Sequence, residues 1–139
     1  MSYATLADLI AAFGEHEVIA VTDRTNTGLV DSAVALEALE RASSEADTYL
    51  AVRYPLPLPS VPKALVAAVC DMARYRLTGA MATETDPIAD RYKAAVAWLK
   101  SMAEGKAVLP GLVQPAPAGG GVQLCPGTRG WLAPAAEEA

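Results

Sequence analysis

Apolar residues recur every three or four positions through roughly the first hundred residues of the chain, the spacing of one helix face. Thr5 stands before LADLIAAF with Asp8 three residues on, a capping box with Asp in place of Glu. Leu6, Leu9, Ile10 and Phe13 then share a face, and Gly14 is a stop signal. EHEVIAVT, Glu15 to Thr22, reads as a second short helix. Asp31 is placed to cap a long helix from Ser32 to about Arg53. Its predicted buried stripe is Leu36, Leu39, Ala42, Ala46, Tyr49 and Leu50, with Glu37 and Arg41 paired four apart on the far side.

Prolines end that helix. YPLPLPSVP removes backbone donors and restricts the residue before each ring, so a short polyproline-like stretch is expected there. Pro62 suits the first turn of the next helix, which runs to about Thr78 and stops at Gly79. Its ALVAAVCDMA segment is apolar nearly all round, the mark of a central helix, with Leu65, Val69 and Met72 buried. Arg74 and Arg76 fall in its last turns, where cations suit the helix dipole. Asp86 is the expected cap of a final helix with Pro87 at its first position. Ile88, Tyr92, Ala95, Val96, Leu99 and Met102 or Ala103 form its stripe, and Gly105 ends it.

The pattern then changes. Prolines at 110, 115, 117, 126 and 134 and glycines at 119–121 forbid a helix. The prediction is an all-α fold: a compact bundle of four to five helices over residues 1–109, then a long extended tail over 110–139. Leu124, Trp131 and Leu132 are the tail residues available to anchor it on a partner, with Val122 beside them.

Composition agrees with helices. Hydrophobic residues make up 53% of the 139, yet only 6% are aromatic, and alanine supplies much of the rest. A net charge of −5 without a basic cluster argues against a protein that grips phosphates. No run of about 18 apolar residues suggests a membrane span. The opening MSYATLADLI has no basic segment ahead of an apolar run, so a secretory signal is not expected. Cys70 and Cys125 lie far apart without metal-ligand spacing, which fits a reduced, cytoplasmic setting.

Candidate chemistry is sparse. The loop TDRTNTGLVD has the outline of a calcium loop starting at Asp23, with Thr25, Thr27, Gly28 and Asp31 at the third, fifth, sixth and ninth positions. The twelfth position is Val34, where a bidentate glutamate belongs, so no metal site is expected. Gly28 then serves a turn and Asp31 a cap. His16 has no nucleophile beside it, and Glu15 and Glu17 point elsewhere on a helix. Cys70 reads as core, and Cys125 has no activating base near it in sequence. Gly119–Gly121 precede no helix and make no phosphate loop. No catalytic residue, cofactor or metal is predicted.

Taken in order, YATLADLIAAFGEHEV, the loop TDRTNTGLVD, YPLPLPSVP and DMARYRLTG (Asp71 to Gly79) resemble the Mu-like bacteriophage head–tail connector family over residues 3–109. Members of that family often carry a more acidic loop and a shorter tail, so TNTG and residues 110–139 are departures. The resemblance implies a helical adaptor that forms a homo-oligomeric ring, usually of twelve subunits, beneath the portal protein. Such a ring continues the channel through which double-stranded DNA passes unbound, and offers a surface to the next connector or tail-terminator protein. It implies a virion protein at the head–tail junction, assembled in the bacterial cytoplasm and involving no membrane. The competing reading is a small acidic helical regulatory or DNA-associated protein, which lacks a basic recognition helix here.

Overall fold

The computed structural model describes residues 2–79 and 87–112. Five helices follow one another: α1 Leu6–Phe13, α2 Glu15–Thr22, α3 Ser32–Leu50, α4 Lys63–Thr78 and α5 Pro87–Ala103. There is no strand among the described residues, so the fold is all-α. The expected cap Asp86, and the tail residues Val122, Leu124, Cys125, Trp131 and Leu132, lie outside the described residues.

The capping box forms as its residues dictate. Asp8 N–H donates to Thr5 Oγ1 at 3.2 Å, and Thr5 N–H donates back to Asp8 Oδ2 at 2.8 Å. The Thr5 N–H, with the Thr5 hydroxyl donating to the same Oδ2 at 2.8 Å, also holds the Asp8 carboxyl below its ordinary range. Gly14, at φ 91°, ends α1 and begins α2, so the two short helices meet at a corner.

Helix α4 is central and packs against all four others. Leu65, Ala68, Val69, Cys70, Met72 and Ala73 are buried along it, as its all-round apolar pattern predicts. The two long helices α3 and α5 close on α4 and on each other, while α1 and α2 lie across α3 and α4.

Helix α3 corrects the predicted stripe. Its buried residues are Ala35, Ala38, Leu39, Ala42, Ser43, Ala46 and Leu50, Tyr49 is half-buried, and Leu36 is 45% exposed. Alanines let two backbones approach closely, so the helix turns its small face to the core and sends Leu36 outward. Ser43 pays its way there through its hydroxyl, which accepts the Tyr3 N–H at 2.9 Å. Helix α3 also ends at Leu50, three residues before the predicted Arg53. The next residues bond as turns, with Arg53 N–H and Tyr54 N–H both reaching Leu50 O. Pro55 disfavours helical backbone at Tyr54, so the helix unwinds early.

Pro62 sits one step outside α4, as its N-cap. The proline segment that follows α3 runs as a series of bends up to Pro62. Within it Tyr54 and Leu58 turn inward and are buried. On α5 the buried positions are Ala89, Ala95, Leu99 and Met102, with Ile88, Tyr92 and Val96 half-buried. Met102, rather than Ala103, completes the stripe.

Candidate functional site

The loop between α2 and α3 is a dense network of polar contacts. Asp23 organises it. Its Oδ1 accepts N–H bonds from Thr25 at 3.3 Å and Thr27 at 3.0 Å, and its Oδ2 accepts the Gly28 N–H at 2.6 Å. The Thr27 hydroxyl donates to the same carboxylate at 3.2 Å and that of Thr25 at 3.5 Å. These donors, led by the Thr27 N–H, hold the Asp23 carboxyl below the usual carboxylate range. To aim so many N–H groups at one side chain the backbone enters the left-handed region twice, at Asn26 (φ 57°) and Gly28 (φ 77°). Both are residue types that tolerate it.

Thr22 closes the loop at its base. It is fully buried, donates its hydroxyl to Val18 O at 2.6 Å and accepts the Asp31 N–H at 3.3 Å. Asp31 then accepts from Ala33 N–H at 3.1 Å and Val34 N–H at 3.3 Å, the predicted cap of α3. Of the nominal ligand positions of a calcium loop, Asp23, Thr25 and Thr27 are bonded to one another, Asp31 is committed to capping α3, and the twelfth is an aliphatic side chain. Sequence reasoning missed Thr22. A threonine at the last position of a short helix carries no pattern that distinguishes a buried hub from a solvated cap.

Beside this loop the arginines of α4 are held by carboxylates from other helices. Arg74 pairs with Glu17 of α2, and its guanidinium carbon lies 4.5 Å above the Phe13 ring. It fastens α1 and α2 to α4, a specific role beyond the expected complement to a helix dipole. Arg76 pairs with Glu45 of α3, which also accepts the Tyr92 hydroxyl of α5 at 2.7 Å. One carboxylate thus ties three helices. Tyr92 stacks on Tyr75 with ring centres 4.3 Å apart. Burial, with the Glu45 bond, pushes the Tyr92 hydroxyl up to about 12. A shallow cleft of about 190 Å³ opens here, lined by Arg24, Val34, Glu37, Arg41, Arg76 and Leu77. Glu37 and Arg41 form the predicted pair across it.

The remaining candidates are separate. His16 is exposed at the start of α2, and Glu17 beside it faces Arg74. Cys70 is buried, and burial with the nearby Asp8 and Asp71 carboxylates pushes its thiol up to about 11, which disfavours the nucleophilic thiolate. Asp71 is itself raised, chiefly by burial, against the opposing pull of Arg91 at 3.7 Å and Arg74. Among the described residues no three His, Cys, Asp or Glu side chains gather as a metal site, and no helix is long and apolar enough to cross a membrane. The structure brings His16, Cys70 and the loop carboxylates into no common site.

What the surface offers instead is contact. Among the described residues, large apolar side chains stand exposed at Leu29 (70%) and Leu36 (45%) by the polar loop, and at Val52, Leu56, Val61 and Val108 where α3 ends and α4 begins.

Relatives with this sequence pattern come from Mu-like phages. The chain is 38% identical over 107 residues to "Gene product J" of Escherichia phage Mu, covering 76% of this chain and 74% of that protein. It is 41% identical over 76 residues to the "Mu-like prophage FluMu protein gp36" of Haemophilus influenzae, covering 55% of this chain and 52% of that one. The family model for bacteriophage Mu Gp36 matches residues 3–124, fifteen residues further than the 3–109 of the motif resemblance, so the stretch that includes Leu124 falls within the match. The chain belongs to the bacteriophage Mu Gp36 family.

Proposed function

We propose that this protein is a structural, non-enzymatic component of the virion: a head–tail connector subunit that joins a ring under the portal protein, continues the DNA channel and supports tail attachment. Membership of a Mu phage family supports a place in phage biology. The observation that carries the connector reading is the pair of exposed apolar patches on different parts of a rigid helical body. A ring of identical subunits is closed by a heterologous contact, in which each copy offers two different surfaces. The patch of Leu29 and Leu36 and the patch of Val52, Leu56, Val61 and Val108 are two such surfaces.

Charge supports the same reading. With a net charge of −5 and its α4 arginines engaged by Glu17 and Glu45, the chain offers DNA little to hold. A channel wall through which DNA slides works best without such a grip. The segment from residue 110 onward, with Leu124, Trp131 and Leu132, adds contact to a neighbour or to the portal. The ring has twelve subunits, and its other face meets the next connector or the tail terminator.

Light scattering of the full chain, alone and mixed with portal protein, tests this. The expected result is a ring-sized complex with portal, visible as an annulus in negative stain. A chain that stays monomeric and separate in the presence of portal overturns the connector reading and leaves the small regulatory protein as the better one.

A further inference from the structure

The end of the bundle where α3 gives way to the proline segment differs from a solvated helix end. Val52 (66%), Leu56 (38%), Val61 (39%) and Val108 (55%) are exposed there. Two contacts bring Val108 to this end. Leu109 N–H donates to the Tyr54 hydroxyl at 3.0 Å, and Gly105, at φ 81°, lies so close to the Arg53 guanidinium that a Cβ would collide with it. Residues 105–109 therefore run beside Arg53 and Tyr54, between Val52 and Leu56 in sequence. Val61 immediately precedes Pro62, the cap of α4, and completes the group.

The described residues end at the same place. Leu109 is buried, Leu112 packs partly against the core, and Leu112 N–H bonds back to Leu109 O at 3.4 Å. The 27 residues that follow (139 less 112) start beside the exposed valines and carry few large apolar residues, chiefly Val113, Val122, Leu124, Trp131 and Leu132. Val122 stands ten positions after Leu112, a reach of at most about 36 Å. That reach covers the end of a bundle whose helices are each about 10 Å across. A segment tethered this closely meets the patch at a higher effective concentration than a separate partner in dilute solution.

We infer that this end of the bundle is the seat of the chain's own C-terminal segment, with Leu124, Trp131 and Leu132 covering Val52, Leu56, Val61 and Val108 in the free subunit. The inference concerns the subunit before assembly and does not rest on the ring.

Tryptophan emission reads it directly. The chain has two tryptophans, so Trp98→Phe leaves Trp131 as the reporter. In the full-length Trp98→Phe protein, held at a concentration where sedimentation shows a monomer, Trp131 emission is expected to be blue-shifted and shielded from acrylamide. Adding Val52→Asp or Val108→Asp should move both signals to those of the urea-unfolded chain while leaving the helical circular dichroism unchanged. Leu36→Asp, on the other apolar patch, should leave them alone. If Val52→Asp unfolds the bundle, Val108→Asp and Val61→Asp carry the test. Emission and quenching already equal to the unfolded chain in the monomer overturn the inference, as does shielding indifferent to these valines. Shielding that appears only on self-association assigns the seat to a second copy's segment and overturns it equally.

Discussion

The two ends of this bundle are finished in opposite ways. At the loop end Asp23 gathers the N–H groups of Thr25, Thr27 and Gly28, Thr22 accepts the Asp31 N–H, and Glu17 and Glu45 hold the two α4 arginines. At the proline end the Leu109 N–H donates to the Tyr54 hydroxyl, and Val52, Leu56, Val61 and Val108 stand exposed. Hydrogen-bonded loops keep their shape without a partner, because their polar groups are already satisfied. Exposed branched aliphatics gain by being covered. The first end is built to hold form and the second to accept contact.

The sharpest break of this comparison lies beneath the proline end. Leu65 is fully buried in the first turn of α4, four residues after Val61. Leu65→Ala should destabilise the domain by about 2–5 kcal/mol, the range for a leucine truncated in a packed core. Urea denaturation of both forms measures it. A near-zero loss would show that this end packs loosely, and the contrast would then be one of disorder against order.

At the loop end the expected effect is smaller, because a single cap is at stake. Asp31→Ala should lower stability by about 0.5–2 kcal/mol. Asp31→Asn should recover most of that, since an amide oxygen can accept the Ala33 and Val34 N–H groups as the carboxylate does. An unchanged denaturation midpoint for Asp31→Ala would mean that Thr22 alone defines the start of α3.

This local character explains why the loop end was the more legible in sequence. Thr5–Asp8, Asp31 and Gly28 act on groups within a few residues, so spacing identifies them. The α4 core was legible for another reason: an apolar segment on every side can only be central. What spacing could not supply was the rotation of α3. Leu36 and Ala35 are adjacent, and weight by hydrophobicity favours the leucine. Ala35 wins because close approach to α4 requires a small residue, which is a property of the partner helix. Glu45 was invisible for the same reason, since its partners Arg76 and Tyr92 are 31 and 47 residues away. The exposed valines of the proline end could not be told from core valines until the chain between Gly105 and Leu109 was placed.

The Glu45 network gives a pH-dependent way to sharpen the contrast. The Tyr92 hydroxyl is raised to about 12 by burial and by Glu45, so the folded state favours its neutral form. The stability this contributes is fully present below the ordinary tyrosine value of about 10. It is lost as pH rises through the folded value of about 12. Tyr92→Phe should cost about 0.5–1.5 kcal/mol at neutral pH, one hydrogen bond's worth. It should also flatten part of the alkaline decline in stability, leaving the part due to Tyr3, whose hydroxyl is raised by burial and by Asp47. Denaturation midpoints at a series of alkaline pH values decide this, and an unaltered slope would remove Tyr92 from the accounting.

The smallest expected effect is the response of the Asp23 loop to calcium. A calcium loop turns its carboxylates and carbonyl oxygens inward on a cation. Here the inward direction is occupied by donors: the Thr25, Thr27 and Gly28 N–H groups point at Asp23, and both threonine hydroxyls follow them. Their positive ends stabilise the carboxylate, which is why its proton affinity is lowered without any metal. For a cation to enter, these bonds would have to break, and Val34 would still bring no oxygen to replace them. Asp31 cannot move in without uncapping α3. Titration calorimetry with millimolar calcium should therefore show no saturable heat, and the thermal midpoint should not rise when calcium replaces a chelator. A micromolar affinity would mean that the loop rearranges around the ion. The loop end would then be a switch and no longer the fixed half of the molecule.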